Sequence, residues 1–88
     1  MKDSVGFKRL YWHSRRGMLE LDLILIPFLE QYYETLPRDD QLRYQALLKS
    51  EDQDMFKWFL GREMPEDSEL RKIVEIINKR TKTPAHTD

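Results

Sequence analysis

Seven of the nine positions from 21 to 29 are aliphatic or aromatic, and only Asp22 and Pro27 interrupt them. On a helix, Leu21, Leu23, Ile24, Leu25, Ile26, Phe28 and Leu29 leave almost no polar face, so a helix over about Met18 to Leu36 has to be surrounded by its neighbours. Pro27 removes one backbone donor and frees the carbonyl of Leu23, which predicts a kink. The run is well short of the ~20 apolar residues needed to cross a bilayer, so no direct membrane insertion is expected. Its cover must come from the rest of an 88-residue chain, enough for one small domain. Chains of this size bury roughly 60–65% of their unfolded surface, which gives a thin but sufficient core.

The expected fold is all-α, a small single-domain bundle of about five short helices over residues 1–80, with 81–88 a mobile tail. No stretch alternates apolar and polar residues for long enough to make a strand. A first helix is predicted from Ser4, its N-cap, to about Arg15, with Phe7, Leu10, Tyr11 and Ser14 on one face. After the central helix, Leu36 to Asp40 reads as a turn, and a third helix runs to about Lys49 with Tyr44, Leu47 and Leu48 inward. Ser50 and Gln53 have the spacing of a capping box that opens a fourth helix carrying Met55, Phe56, Trp58, Phe59 and Leu60, with Gly61 as its left-handed stop. In the fifth, from about Glu66 to Arg80, Leu70, Ile73, Val74 and Ile77 hold the i, i+3, i+4, i+7 pattern.

The chain has no cysteine, which excludes disulfides, zinc-thiolate sites and thiol nucleophiles and suits a reducing compartment. Its net charge of −1 lacks the basic excess of a nucleic-acid binder, so no nucleic-acid partner is expected. The charge is unevenly spread: residues 1–16 hold five Lys or Arg against one acid, and residues 17–54 hold three against nine. That layout suits a protein–protein contact surface better than an enzyme pocket. Arg15 and Arg16 before the apolar run look like a twin-arginine export signal. Glu20, Asp22 and Pro27 break the pattern, and no small-x-small cleavage site follows. The expected location is cytoplasmic, or an organellar matrix if this is a mature imported chain.

Nothing resembles a phosphate loop, a nucleophile elbow or a dinucleotide fingerprint. His13 has no acid spaced with it as a metal set and reads as a surface residue; His86 falls in the expected tail. The acid pairs Asp39/Asp40, Glu51/Asp52 and Glu66/Asp67 each begin an expected helix, where exposed N–H groups favour negative charge. No catalytic residue, metal or stably bound cofactor is therefore expected. Trp12 lies among Lys8, Arg9, His13 and Arg15, and a tryptophan within a basic cluster is a common interface anchor. Ordinary packing of that ring is the equal alternative.

Residues Arg15 to Asp22 are the most informative segment. If Gly17 caps the second helix, Glu20 occupies the third position and its carboxylate can bond back to the cap. The same arrangement lets a partner approach the bare backbone at Gly17, with Arg16 and Glu20 flanking it in opposite charge. The two readings are compatible.

This segment, the proline-containing helix after it, and Asp52-Gln53-Asp54-Met55-Phe56-Lys57-Trp58-Phe59 together resemble the SdhE/YgfY family of succinate dehydrogenase flavinylation factors. The likeness extends over roughly residues 4 to 80, and the family's RGxxE motif is matched by Arg16, Gly17 and Glu20. It implies an assembly factor, not an enzyme. Such a factor binds the flavoprotein subunit of succinate dehydrogenase or fumarate reductase and promotes covalent attachment of FAD to a client histidine. Both the FAD and the nucleophile belong to the client. Arg16, Gly17 and Glu20 would centre the contact, ringed by Arg9, Trp12, His13, Arg15 and Asp22 on grounds of charge and position. The free protein is expected to be a monomer. Two alternatives stay open: an FAD-binding carrier using Trp12 and the basic cluster, and a regulatory, antitoxin-like binding module.

Overall fold

A computed structural model describes residues 5–81. Five α-helices succeed one another, α1 (Val5–Ser14), α2 (Leu19–Tyr32), α3 (Arg38–Leu47), α4 (Asp52–Phe59) and α5 (Ser68–Thr81), with a 3-10 turn at Tyr33–Thr35. There is no strand among the described residues. The chain therefore adopts the expected all-α, five-helix arrangement. The predicted Ser4 cap, His86 and the tail beyond Thr81 lie outside the described residues. Thr81, placed in the tail by sequence, still belongs to α5, where its Oγ1 donates to the Ile77 carbonyl at 2.7 Å.

The core is built on α2. Leu21, Leu25, Phe28 and Leu29 are fully buried, at the i, i+4, i+7, i+8 spacing of one helical face. Tyr44 and Leu47 of α3, Met55 of α4, and Ile73, Val74 and Ile77 of α5 close over them with no exposed surface. Each such aliphatic side chain contributes roughly 1.5–3 kcal/mol of burial. Phe7, Leu10 and Tyr11 of α1 pack on the same cluster half-buried. Tyr44 joins three helices. Its ring stacks on Phe28 at 5.7 Å, and its hydroxyl lies 2.7 Å from Ser14 Oγ of α1. Ser14 in turn donates to the Leu10 carbonyl, so neither buried hydroxyl lacks a partner.

The central helix is not enclosed on every side, contrary to the sequence expectation: Leu23 is 64% exposed and Leu19 66%. Four short helices cannot wrap a cylinder completely. The helix runs through Pro27 unbroken, and Leu23, whose carbonyl the proline frees, stands where water can satisfy it. It also ends early, at Tyr32 rather than Leu36. Thr35 Oγ1 takes the Tyr32 carbonyl at 2.7 Å, Leu36 N–H takes that of Tyr33 at 3.1 Å, and Pro37 holds Leu36 extended.

Other boundaries move for local reasons. The Ser50–Gln53 capping box does not form: Glu51 is the N-cap of α4, with no side-chain bond, and the Ser50 carbonyl is taken by Arg16. α5 starts at Ser68 instead of Glu66, because Asp67 Oδ1 accepts the N–H groups of Glu69 and Leu70. In α4, Met55 and Phe59 are buried, Trp58 and Phe56 half-buried, and Leu60 exposed.

Candidate functional site

Residues 15–18 join α1 to α2. Gly17 turns the chain at φ +79°, a left-handed conformation that costs an L-residue roughly 1–2 kcal/mol. A Cβ there would meet nothing within 4 Å, so the backbone angle, not space, requires glycine. Met18, not Gly17, is the N-cap of α2; its carbonyl accepts from Leu21 and Asp22. The left-handed step at Gly17 delays the helix by one residue, and Glu20 loses the position from which it could bond back. Asp22 does so instead. Its Oδ1 accepts the Arg16 backbone N–H at 2.8 Å, while its other oxygen lies 3.7 Å from Arg15 Nε.

The Arg16 side chain turns into the body. Nε donates to Asp52 Oδ1 at 2.9 Å, Nη1 to the His13 carbonyl at 2.8 Å, and Nη2 to the carbonyls of Leu48 and Ser50, both at 2.9 Å. Four of its five N–H donors are thereby engaged, and the side chain is only 15% exposed. One guanidinium thus ties the end of α1, the end of α3 and the first turn of α4. The Leu48 carbonyl lies just past the negative end of α3, where a cation is favoured.

The remaining candidates fall on two faces. Trp12 is 66% exposed, its ring met edge-on by Tyr11, with the Arg15 guanidinium 5.9 Å from the ring centre. Arg15 connects this face to Asp22 of α2. Gly17 and Glu20 are exposed, and Glu20 makes no hydrogen bond or ion pair with any described residue. Arg9 and His13 lie elsewhere, lining a groove of about 790 Å³ bounded by α1, α3 and the 3-10 turn. The structure therefore keeps Trp12, Arg15 and Asp22 with the turn and sends Arg9 and His13 into the groove.

Sequence reasoning missed Asp52 as the partner of Arg16, the Leu48 and Ser50 carbonyls, the Ser14–Tyr44 contact and the groove. The tie spans 36 residues between Arg16 and Asp52, and no local spacing signals it. Burial of the Tyr44 phenol raises its pKa well above the ordinary 10.0, a shift the Ser14 hydrogen bond opposes only in part. Among the described residues no group of His, Cys, Asp and Glu is placed to hold a metal, and no helix is long and apolar enough to cross a membrane.

The two stretches that carried the sequence resemblance thus meet in space at the Arg16–Asp52 pair. A family model described as flavinator of succinate dehydrogenase matches residues 8–81, which includes both. The chain belongs to that family. It is similar to the FAD assembly factor SdhE of Pseudomonas aeruginosa, 56% identical over 77 residues, covering 88% of this chain and 92% of the relative. The factor of the same name from Pseudomonas putida is 52% identical over the same shares of both chains. That of Colwellia psychrerythraea is 47% identical over 89% of this chain and 86% of its own length. The Arg16-braced turn is therefore a feature of a flavinator-family chain, and it sets the exposed Glu20 carboxylate near the exposed backbone of Gly17.

Proposed function

We propose that this protein is an assembly factor that binds the flavoprotein subunit of succinate dehydrogenase and promotes covalent attachment of FAD to a histidine of that subunit. The flavoprotein subunit of fumarate reductase is a second candidate client, and the cytoplasm is where the free, monomeric factor would meet either. The observation that carries the reading is the exposed Gly17–Glu20 surface, presented on a turn that Arg16 holds from within, in a chain of the flavinator family.

Glu20 offers a carboxylate with no partner among the described residues, Gly17 a bare backbone, and Trp12 an apolar ring backed by Arg15. Arg16 acts as a positioning residue: it fixes the shape of the turn and leaves recognition to its neighbours. Nucleophile and cofactor both reside on the client, so the factor's contribution is alignment. Alignment of two reacting groups is worth roughly 7–11 kcal/mol in the most favourable intramolecular cases. The factor can shift the client only by the difference in its affinity for aligned and misaligned forms.

The test is covalent flavin on the purified flavoprotein subunit, read by in-gel fluorescence after denaturation, with and without this protein. Stimulation by the wild-type chain, lost in Glu20→Ala with unchanged helical content, is the expected result. Equal labelling with and without the wild-type protein refutes the reading. Tight stoichiometric binding of FAD by the isolated protein would favour a carrier instead.

A further inference from the structure

We propose that the groove between α1 and α3 is a second docking site for the client, taking a peptide segment in which an apolar side chain is flanked by carboxylates. This deepens the function proposed above and rests on it. The groove, about 790 Å³, is lined by α1 residues other than Trp12. Leu10 and Leu48 provide an apolar lining that can take a branched or aromatic side chain. Arg9 stands on one wall and Lys49 on the other, and neither side chain pairs with an acid among the described residues. Glu34 is the single acid among the described lining residues, so they carry net positive charge, complementary to an acidic segment.

Two further features favour a peptide over a phosphate-bearing ligand. Gln41 and Gln45 each donate through Nε2, to the carbonyl and to the hydroxyl of Tyr33, at 3.0 and 2.8 Å. Both residues line the groove, and their Oε1 atoms remain as acceptors, suited to main-chain N–H groups and unsuited to a phosphate oxygen. The cations also sit apart on opposite walls, with no glycine-rich loop between them to converge on one anion. Arg16, the most sheltered guanidinium at the groove, is already engaged by Asp52 and three carbonyls.

The probe is a set of short, overlapping fluorescein-labelled peptides covering the flavoprotein subunit, titrated with the full-length protein and read by anisotropy. A peptide with carboxylates bracketing an apolar residue should bind in a salt-sensitive way, and R9E/K49E should weaken it about tenfold or more. Both side chains are on the surface, so circular dichroism should show the double variant folded. E20A should bind the peptide like wild type while failing to stimulate flavin attachment. The proposal is overturned if no peptide binds, if R9E/K49E binds as well as wild type, or if FAD displaces the peptide from the groove. Should the wild-type chain fail to stimulate covalent flavin at all, the proposed function falls. Should it stimulate while the peptides fail, only the groove assignment falls.

Discussion

Gly17 and Gly61 share a positive φ, +79° and +80°, and sit in turns of opposite construction. Gly61 follows α4, where its N–H bonds to the Trp58 carbonyl and that of Arg62 to Lys57, both at 3.1 Å. This is a Schellman stop, complete within six residues of chain. The turn at Gly17 depends on Asp22 for one bond and, through Arg16, on acceptors 32, 34 and 36 residues away. One glycine ends a helix by local means. The other shapes a surface that only the assembled fold can hold. Like φ with unequal wiring separates the helix stop at Gly61 from the turn proposed to meet the client.

The largest effect should come from exchanging side chains at these two positions. Gly17→Arg should remove nearly all stimulated flavin attachment, and Gly61→Arg should leave it close to wild type. Both should lose about 1–2 kcal/mol in urea titrations, since each puts a side chain at positive φ. Equal loss of activity in the two variants would break the comparison.

Arg16→Ala comes next. Several charge-assisted bonds vanish together and leave partly buried carbonyls, so stability should fall by about 2–4 kcal/mol in urea titrations. Arg16→Lys should recover only part of this, because an ammonium cannot reproduce the planar fork. Full recovery by lysine would mean that charge alone holds the turn.

Alkaline titration tests the neighbouring Ser14–Tyr44 contact. The buried Tyr44 keeps its proton at a pH where the unfolded chain has released it, so the folded state is penalised above the ordinary phenol pKa. Stability should be insensitive to this group below pH about 10 and fall as pH rises beyond it. Tyr44→Phe should flatten that decline in a pH series of melting curves; an unchanged slope would place the effect elsewhere. The smallest change is expected from Asp67→Ala, a cap as local as the Gly61 stop, at about 1 kcal/mol with flavin attachment intact.

What the sequence made legible follows the same division between local and distant. The apolar periodicity of α5, the inward Tyr44 and Leu47, and the stop at Gly61 all depend on neighbours within a few residues, and each stands as expected. The Ser50 box failed because α4 starts one residue later, with Glu51 as its N-cap, and the Ser50 N–H that Gln53 would accept is already bonded to the Leu47 carbonyl. Glu20 could not act as a helix cap because the left-handed turn at Gly17 shifted the start of α2. The motif residues were readable as types. That Arg16 faces inward, Glu20 outward, and Arg9 a different surface depends on where α3 and α4 come to rest, which no local pattern encodes.

The distance between Arg16 and its acceptors has a consequence for biosynthesis. A nascent chain that has delivered only its first forty-odd residues carries the whole RGxxE motif and none of the carbonyls at Leu48 and Ser50 that shape it. In the proposed function, competence to grip a client therefore arises late, after most of the body has emerged and packed. Copies truncated before Leu48 display the letters without the acceptors that shape them.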